Sequence, residues 1–290
     1  MRFVLTFFLA LSLVACDDGL AKPTDRESTA RAETASERLA ATEAGQRVLD
    51  AIEAHGGLAA WYSAGPIAFR YAYTRLDSTG APDTTRPPLD TRQVIDTWSA
   101  RAEHTLVADS TVRFGWTGTE AWAMPTAEAV PTDPRFWSLT PYYFIAMPFV
   151  LADPGVNLEM AEPLVLDSTT TVDQVYVTFD SGTGDAPDDY YYLLLDPETS
   201  EVRGVRYVVS YGPFNPDGGH TPETIMLYDG AQTIGGITLQ EGFRSFAWDG
   251  TGPGAPKAQG TLTDIAFRPE MADVEFSVPE GAEVQPDLAP

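Results

Sequence analysis

The chain has 290 residues, 43% of them hydrophobic and 11% aromatic, which is ample for a sizeable core. Its 42 acidic side chains outnumber 18 basic ones, for a net charge of −24 at pH 7. That imbalance makes nucleic acid a poor partner, because phosphate contacts need basic surface, and it repels an anionic lipid surface. Lys22 and Lys257 are the only lysines. So little lysine beside so much acid reads as adaptation to a salty exterior, where the Debye length falls to about 3 Å near 1 M salt, with an ordinary acidic, soluble surface as the alternative.

Arg2 is followed by an apolar run from Phe3 to Leu13 and then by Val14-Ala15-Cys16. Charge, apolar stretch, small residue and cysteine in this order form a bacterial lipoprotein signal. Residues 1–15 are therefore read as a signal peptide cleaved after Ala15. Cys16, the single cysteine, is read as the carrier of a diacylglycerol thioether. The run is too short to span a bilayer in the mature chain. The expected place is the cell envelope, lipid-anchored through Cys16 to the inner or outer membrane, on a periplasmic or surface face. Once that thiol is lipidated, no disulfide or thiolate metal site remains. Residues 16–43, rich in Ala, Thr, Glu, Asp, Ser and Arg, predict a flexible tether.

A single folded domain is expected over residues 44–281, with 282–290 as a C-terminal tail. Val48, Leu49 and Ile52 have helical spacing, and Gly56-Gly57 stops that helix after His55. From Ile67 the period becomes two: Phe69, Tyr71 and Tyr73 alternate with small or polar neighbours. Extended stretches follow at Val94 and at Thr105-Leu106-Val107, with a hairpin about Gly118. Later strands are expected over 172–179, 189–195, 202–211, 224–227, 237–248 and 261–267. Asp196-Pro197-Glu198-Thr199 supplies a strong turn. Many strands joined by short turns imply an α+β fold built on a large antiparallel sheet. The segment 134–154 interrupts them. Thr140 is expected to cap a helix with Pro141 at its first position. Because 142–150 is apolar all round, this helix should be buried or should face an apolar cavity.

No G-x-S-x-G elbow, H-E-x-x-H pair, phosphate-cradling loop or dinucleotide fingerprint occurs, so no catalytic residue and no cofactor are assigned. His55, His104 and His220 are not spaced as metal ligands and read as ordinary surface or satisfied side chains. Four carboxylates between Asp180 and Asp189 leave calcium open beside the plainer reading of a solvated hairpin loop. The aromatic clusters carry more. Phe136, Trp137, Tyr142, Tyr143, Phe144, Met147 and Phe149 crowd one segment and are the candidate lining of an apolar pocket.

Three stretches carry a family resemblance: AIEAHGGLAAW at 51–61, PYYFIAMPFVLADPGVN at 141–157 and VTFDSGTGDAPDDYYYLLLDPETSEV at 177–202. They resemble uncharacterised lipoproteins of Bacteroidetes-type bacteria. That family is itself distantly similar to the LolA/LolB lipoprotein-carrier superfamily. The resemblance implies an incomplete antiparallel barrel wrapped over one or two helices, with an apolar cavity for acyl chains. It implies a binding protein, not an enzyme, whose partner is a hydrophobic ligand or a lipidated protein. Two alternatives stay open: a structural or interaction lipoprotein with a self-filled core, and a carbohydrate-binding or carbohydrate-processing surface lipoprotein. Cys16→Ser should abolish lipidation and leave an uncleaved or soluble form. Fractionation of cells expressing it is expected to move the protein out of the detergent-released fraction.

Overall fold

Period-two stretches can satisfy their backbone groups only by pairing, and here they pair with their sequence neighbours almost throughout. The computed structural model describes residues 23–181, 183, 186, 188–271 and 276–286. The signal peptide and Cys16 lie outside the described residues. Five strands come first: β1 (Ile67–Arg75), β2 (Leu89–Asp96), β3 (Arg101–Leu106), β4 (Arg113–Trp116) and β5 (Ala121–Met124). After the helical interruption come β6 (Val156–Val165), β7 (Thr171–Phe179), β8 (Tyr191–Leu195), β9 (Val202–Tyr207) and β10 (Thr224–Tyr228). A short hairpin follows, β11 (Ala231–Ile234) with β12 (Ile237–Gln240), and then β13 (Gly242–Trp248), β14 (Pro253–Phe267) and β15 (Glu283–Val284).

Among the described residues, thirteen strands form one sheet in the order β15-β5-β4-β3-β2-β1-β14-β13-β10-β9-β8-β7-β6, and every pairing is antiparallel. β15 and β6 are its two edges, so the sheet curves without closing. The long β14 links the halves by pairing with β1 on one side and β13 on the other. The expected α+β fold with an incomplete barrel is present.

Among the described residues, four α-helices cover one face: α1 (Asp25–Leu39), α2 (Glu43–Ala54), α3 (Leu58–Ser63) and α4 (Pro134–Ile145). α1 corrects the expected tether. Thr24 and Glu27 form a capping box at its start, each satisfying the other's backbone N–H. Its buried stripe is small: Ser28, Ala32, Ala35 and Leu39. Arg31 anchors it, donating to the Trp98 carbonyl at 2.8 Å while its guanidinium lies over the Tyr62 and Trp98 rings. A stripe of alanines has too little hydrophobicity to announce a helix by periodicity, yet it lets α1 lie close against α3. The expected C-terminal tail is corrected as well, because Glu283 and Val284 pair with Ala123 and Trp122 of β5.

Other differences have local causes. The expected strand 237–248 divides at Glu241 into β12 and β13, which belong to different sheets. β6 gave no periodic signal because it is an edge strand bearing Glu159, Glu162 and Pro163. Its register shifts between Ala161 and Leu164, where the proline needs no ladder partner. α4 begins earlier than expected: Asp133 is its N-cap, accepting from Phe136 N–H at 2.9 Å, and Pro134 is the first helical residue. The Thr140 hydroxyl donates back to the Phe136 carbonyl, and Pro141 lies inside the helix.

The core lies between the helices and the concave face. Trp61 of α3 is its hub, stacked on Phe149 at 4.5 Å between ring centroids and edge-on to Phe267 at 6.1 Å. The convex face carries a smaller cluster, Val172, Leu194 and Ile225. There Arg206 lies over the rings of Tyr192 (3.8 Å) and Trp248 (4.7 Å) and is paired with Glu223.

Two histidines are buried between the layers. His55, the C-cap of α2, accepts Val202 N–H on Nε2 at 3.2 Å, so Nδ1–H donates to the Thr238 carbonyl at 3.0 Å. That bonding requires one neutral tautomer. Burial lowers the pKa of His55. His104 stacks on Phe114 and donates from Nε2 to the Ser138 carbonyl of α4 at 2.7 Å. Burial pushes its pKa down to about 4 from an ordinary 6.5. The unfolded chain takes up these protons near pH 6.5 and the native fold only at lower pH. The stability conferred by neutral histidines is therefore present above pH 6.5 and lost as pH falls towards 4. For His104 this amounts to roughly 3 kcal/mol. Urea midpoints should drop between about pH 7 and pH 5, and His104→Gln, which keeps a donor for Ser138, should reduce that drop.

Candidate functional site

α4 packs against β3, β4 and β5 toward one end of the sheet, and its C-terminal end reaches across to β10. Sheet side chains hold it at several points. His104 bonds the Ser138 carbonyl, Tyr228 Oη donates to the Phe144 carbonyl at 2.9 Å, and Tyr211 Oη donates to the Asp133 cap at 3.2 Å. Beneath the helix lies a cavity of about 540 Å³, within the size range of small-molecule sites. Its floor is set by strand alternation, since every second residue of a strand faces the same way. β1 contributes Tyr73 and Arg75, β9 Val205 and Tyr207, β10 Thr224, Met226 and Tyr228, and β13 Phe243 and Ser245. Tyr191 and Phe179 close one side, and Trp116 reaches in from β4.

The seven aromatic and Met candidates read from the sequence divide. Phe136, Trp137, Tyr143, Phe144 and Met147 line the cavity. Trp137 also packs on Tyr73 at 4.7 Å between centroids, Phe144 packs on Phe243 at 5.0 Å, and Phe136 meets Phe214 at 4.8 Å. Tyr142 and Phe149 do not line it. Tyr142 stacks towards Trp61 and donates to the Thr97 carbonyl at 3.4 Å, and Phe149 is sandwiched on Trp61. Both belong to the core, because successive positions on one helix and its following turn cannot all face one side. Tyr190-Tyr191-Tyr192 separates by the same alternation: Tyr191 lines the cavity, whereas Tyr192 lies beneath Arg206 on the convex face.

Phe243 owes its place to a glycine. A Cβ on Gly260 would lie 2.3 Å from the Phe243 ring, so the bare backbone across the strand pair lets that ring lie over it. Tyr73, Tyr207, Tyr228 and Tyr191 are all held above the ordinary phenol pKa, chiefly by burial. Their hydroxyls stay neutral and offer hydrogen bonds inside an otherwise apolar wall. Several charged side chains also border the space: Arg75, Arg86, Arg135, Lys257, Asp83 and Asp189. The buried Asp189 carboxylate accepts from Ser210 N–H and hydroxyl at 2.5 and 2.8 Å, and burial raises its pKa.

Those Asp189 bonds also bear on the calcium alternative. Asp180 is bonded to Asn157 Nδ2 at 2.8 Å. Asp185 lies outside the described residues. Among the described residues, no three His, Cys, Asp or Glu side chains converge as a metal site. Sequence reasoning missed the floor residues Tyr73, Tyr207, Met226, Tyr228 and Phe243. The period-two pattern places them on a common face of their strands, but it does not say which face carries the helix.

The division of the aromatic segment has an energetic consequence. Phe149→Ala removes a stacked core ring and should cost about 3–5 kcal/mol. Phe144→Ala enlarges a space already open and should cost clearly less. Chemical denaturation of the two variants side by side measures the difference.

No protein-family model matches the chain, and no curated protein matches it. Solved structures do. A LolA superfamily protein from Nitrosomonas europaea aligns with a TM-score of 0.50 at 9% identity, covering 78% of this chain and 94% of that one. A DUF1329 family protein from Desulfovibrio piger aligns with a TM-score of 0.51 at 8% identity, covering 86% and 97%. At such identities the likeness is one of fold, and the fold of this chain is LolA-like.

Proposed function

We propose that this is a lipid-anchored binding protein of the cell envelope that holds an acyl-chain-like hydrophobic ligand, or the acyl chain of a lipidated partner, under α4. One observation carries this reading. A space of about 540 Å³ separates α4 from the sheet and is walled by aromatic and aliphatic side chains from both. A helix with Trp137 and Phe144 on its underside, and Met147 just beyond its end, would ordinarily collapse onto Tyr73, Met226 and Phe243, since burying apolar surface is favourable. Hydrogen bonds from His104, Tyr211 and Tyr228 to the helix hold it at a distance from the floor. A preformed cavity whose walls are largely aromatic and aliphatic suits an acyl-chain-like ligand. The Cys16 thioether would supply the anchor, and the segment between it and Thr24 would give the domain some reach from the membrane. The LolA-like fold is consistent with this use.

Native mass spectrometry of protein purified from cells tests it. The expected result is a co-purifying lipid mass that is diminished in Leu139→Trp, where a larger ring enters the cavity from α4. A neutral apolar fluorophore should likewise be taken up by the parent chain and less by the variant. Absence of both lipid and fluorophore binding in the parent chain would return the protein to the structural reading, with the cavity a packing defect.

A further inference from the structure

The cavity is not apolar throughout, and two of the cations that border it, Arg75 and Lys257, are not neutralised as others in this chain are. Acidic side chains outnumber basic ones 42 to 18, so an arginine finds a carboxylate easily. Arg47, Arg70, Arg101 and Arg206 each pair with one at 2.6–3.0 Å. Arg75 and Lys257 border the cavity, and among the described residues neither has a carboxylate within ion-pair distance. The Arg75 guanidinium lies 5.5 Å from the Tyr73 ring centre. Lys257 Nζ donates to the Thr224 hydroxyl at 2.5 Å, and among the described residues its other ammonium protons have no protein acceptor.

Their placement follows from a break in the sheet. Ser245 pairs with Ala258, but the next residue, Phe246, pairs with Pro256. Lys257 is therefore the extra residue of a bulge, the device by which a strand turns a side chain to the other face. The same bulge sits beside the end of β1, where Arg75 pairs with Ala258 and Leu76 N–H donates to the Lys257 carbonyl at 2.8 Å. Arg86 stands at the same end, only loosely engaged by Asp83 at 3.8 Å.

We infer that this end of the cavity is an anion subsite, so the ligand is a single-tailed anionic amphiphile. Its carboxylate or phosphate head sits between Arg75 and Lys257, and its chain runs inward past Tyr73 and Phe243. This rests on the cavity reading above and adds the head-group chemistry to it. In a chain of −24 an anion approaches against the overall field. Local contact with two unpaired cations beside a low-dielectric wall outweighs that field, because the distant surface carboxylates are screened within about a Debye length of 8–10 Å.

The experiment compares three ligands with tails of similar length: palmitate, lysophosphatidic acid and neutral hexadecanol. They are titrated against the parent chain and an Arg75→Gln/Lys257→Gln double variant, with circular dichroism confirming that the variant is folded. The parent is expected to prefer one or both anions over the alcohol by roughly tenfold or more, the size of one charge-assisted contact. Which anion leads identifies the head. In the variant the anion-to-alcohol ratio should fall towards one, and in the parent it should shrink as salt rises. Equal binding of all three by the parent would overturn the anion subsite and leave the cavity reading standing. A preference that survives in the double variant would also overturn it. Binding of none of the three would overturn both readings.

Discussion

An open antiparallel sheet that curves must have its concave face covered, and a helix layer can do so completely only where the two surfaces match. Here the match is good on one side and incomplete on the other. α1 and α3 lie together, and Trp61 reaches from α3 to Phe149 and Phe267, so that side is filled. α4 packs on β3, β4 and β5 and leaves a gap to the strands beyond them. The apolar side chains beneath it meet an opposing wall only in part, and the remainder is the cavity. The site is thus a consequence of how a large sheet is roofed.

What keeps the roof from falling is hydrogen bonding. His104 and Tyr228 are strand residues and Tyr211 lies in the loop after β9; each bonds α4 or its cap, two of them at backbone carbonyls. Such bonds set a fixed spacing, whereas apolar contact alone would favour the closest approach. His104 serves two roles at once. It spaces α4 from β3, and because it is buried and neutral it makes the attachment sensitive to acid. Burial keeps the imidazole neutral although the bond to Ser138 favours its protonated form, so the position of the helix and the pH range of the fold are linked through a single ring.

Charge is arranged in two zones. Most carboxylates are exposed, and several hold themselves in place by local bonds: Asp77, Asp83, Asp109, Asp167 and Asp249 each accept from a threonine two residues on. These Asx-type turns rigidify loop ends and keep the carboxylates ionised. The paired arginines then neutralise the carboxylates that lie partly buried. Against that background, Arg75 and Lys257 border the cavity with no carboxylate in ion-pair contact among the described residues.

The amino-acid sequence by itself determined the class of fold. Alternation in 67–73, 172–179 and 202–207, and turn chemistry at 196–199, leave an antiparallel sheet as the only economical arrangement, since period two is a local property of each strand. It also determined that 134–154 must be covered, because nothing so apolar is solvated. It marked five of the residues that line the cavity: Phe136, Trp137, Tyr143, Phe144 and Met147. Tertiary structure alone decided the rest. α1 is helical because Ala32, Ala35 and Leu39 find α3 and the core, a gain invisible in a stripe of alanines. β15 exists because β5 offers an open edge. Tyr142 and Phe149 went to the core and Phe144 to the cavity because the rotation of α4 is set by bonds to distant strands. Lys257 turned inward because a register shift between β13 and β14 added one residue. Periodicity reports which residues share a face. Which face meets which neighbour, and at what distance, is set by contacts between segments far apart in the chain.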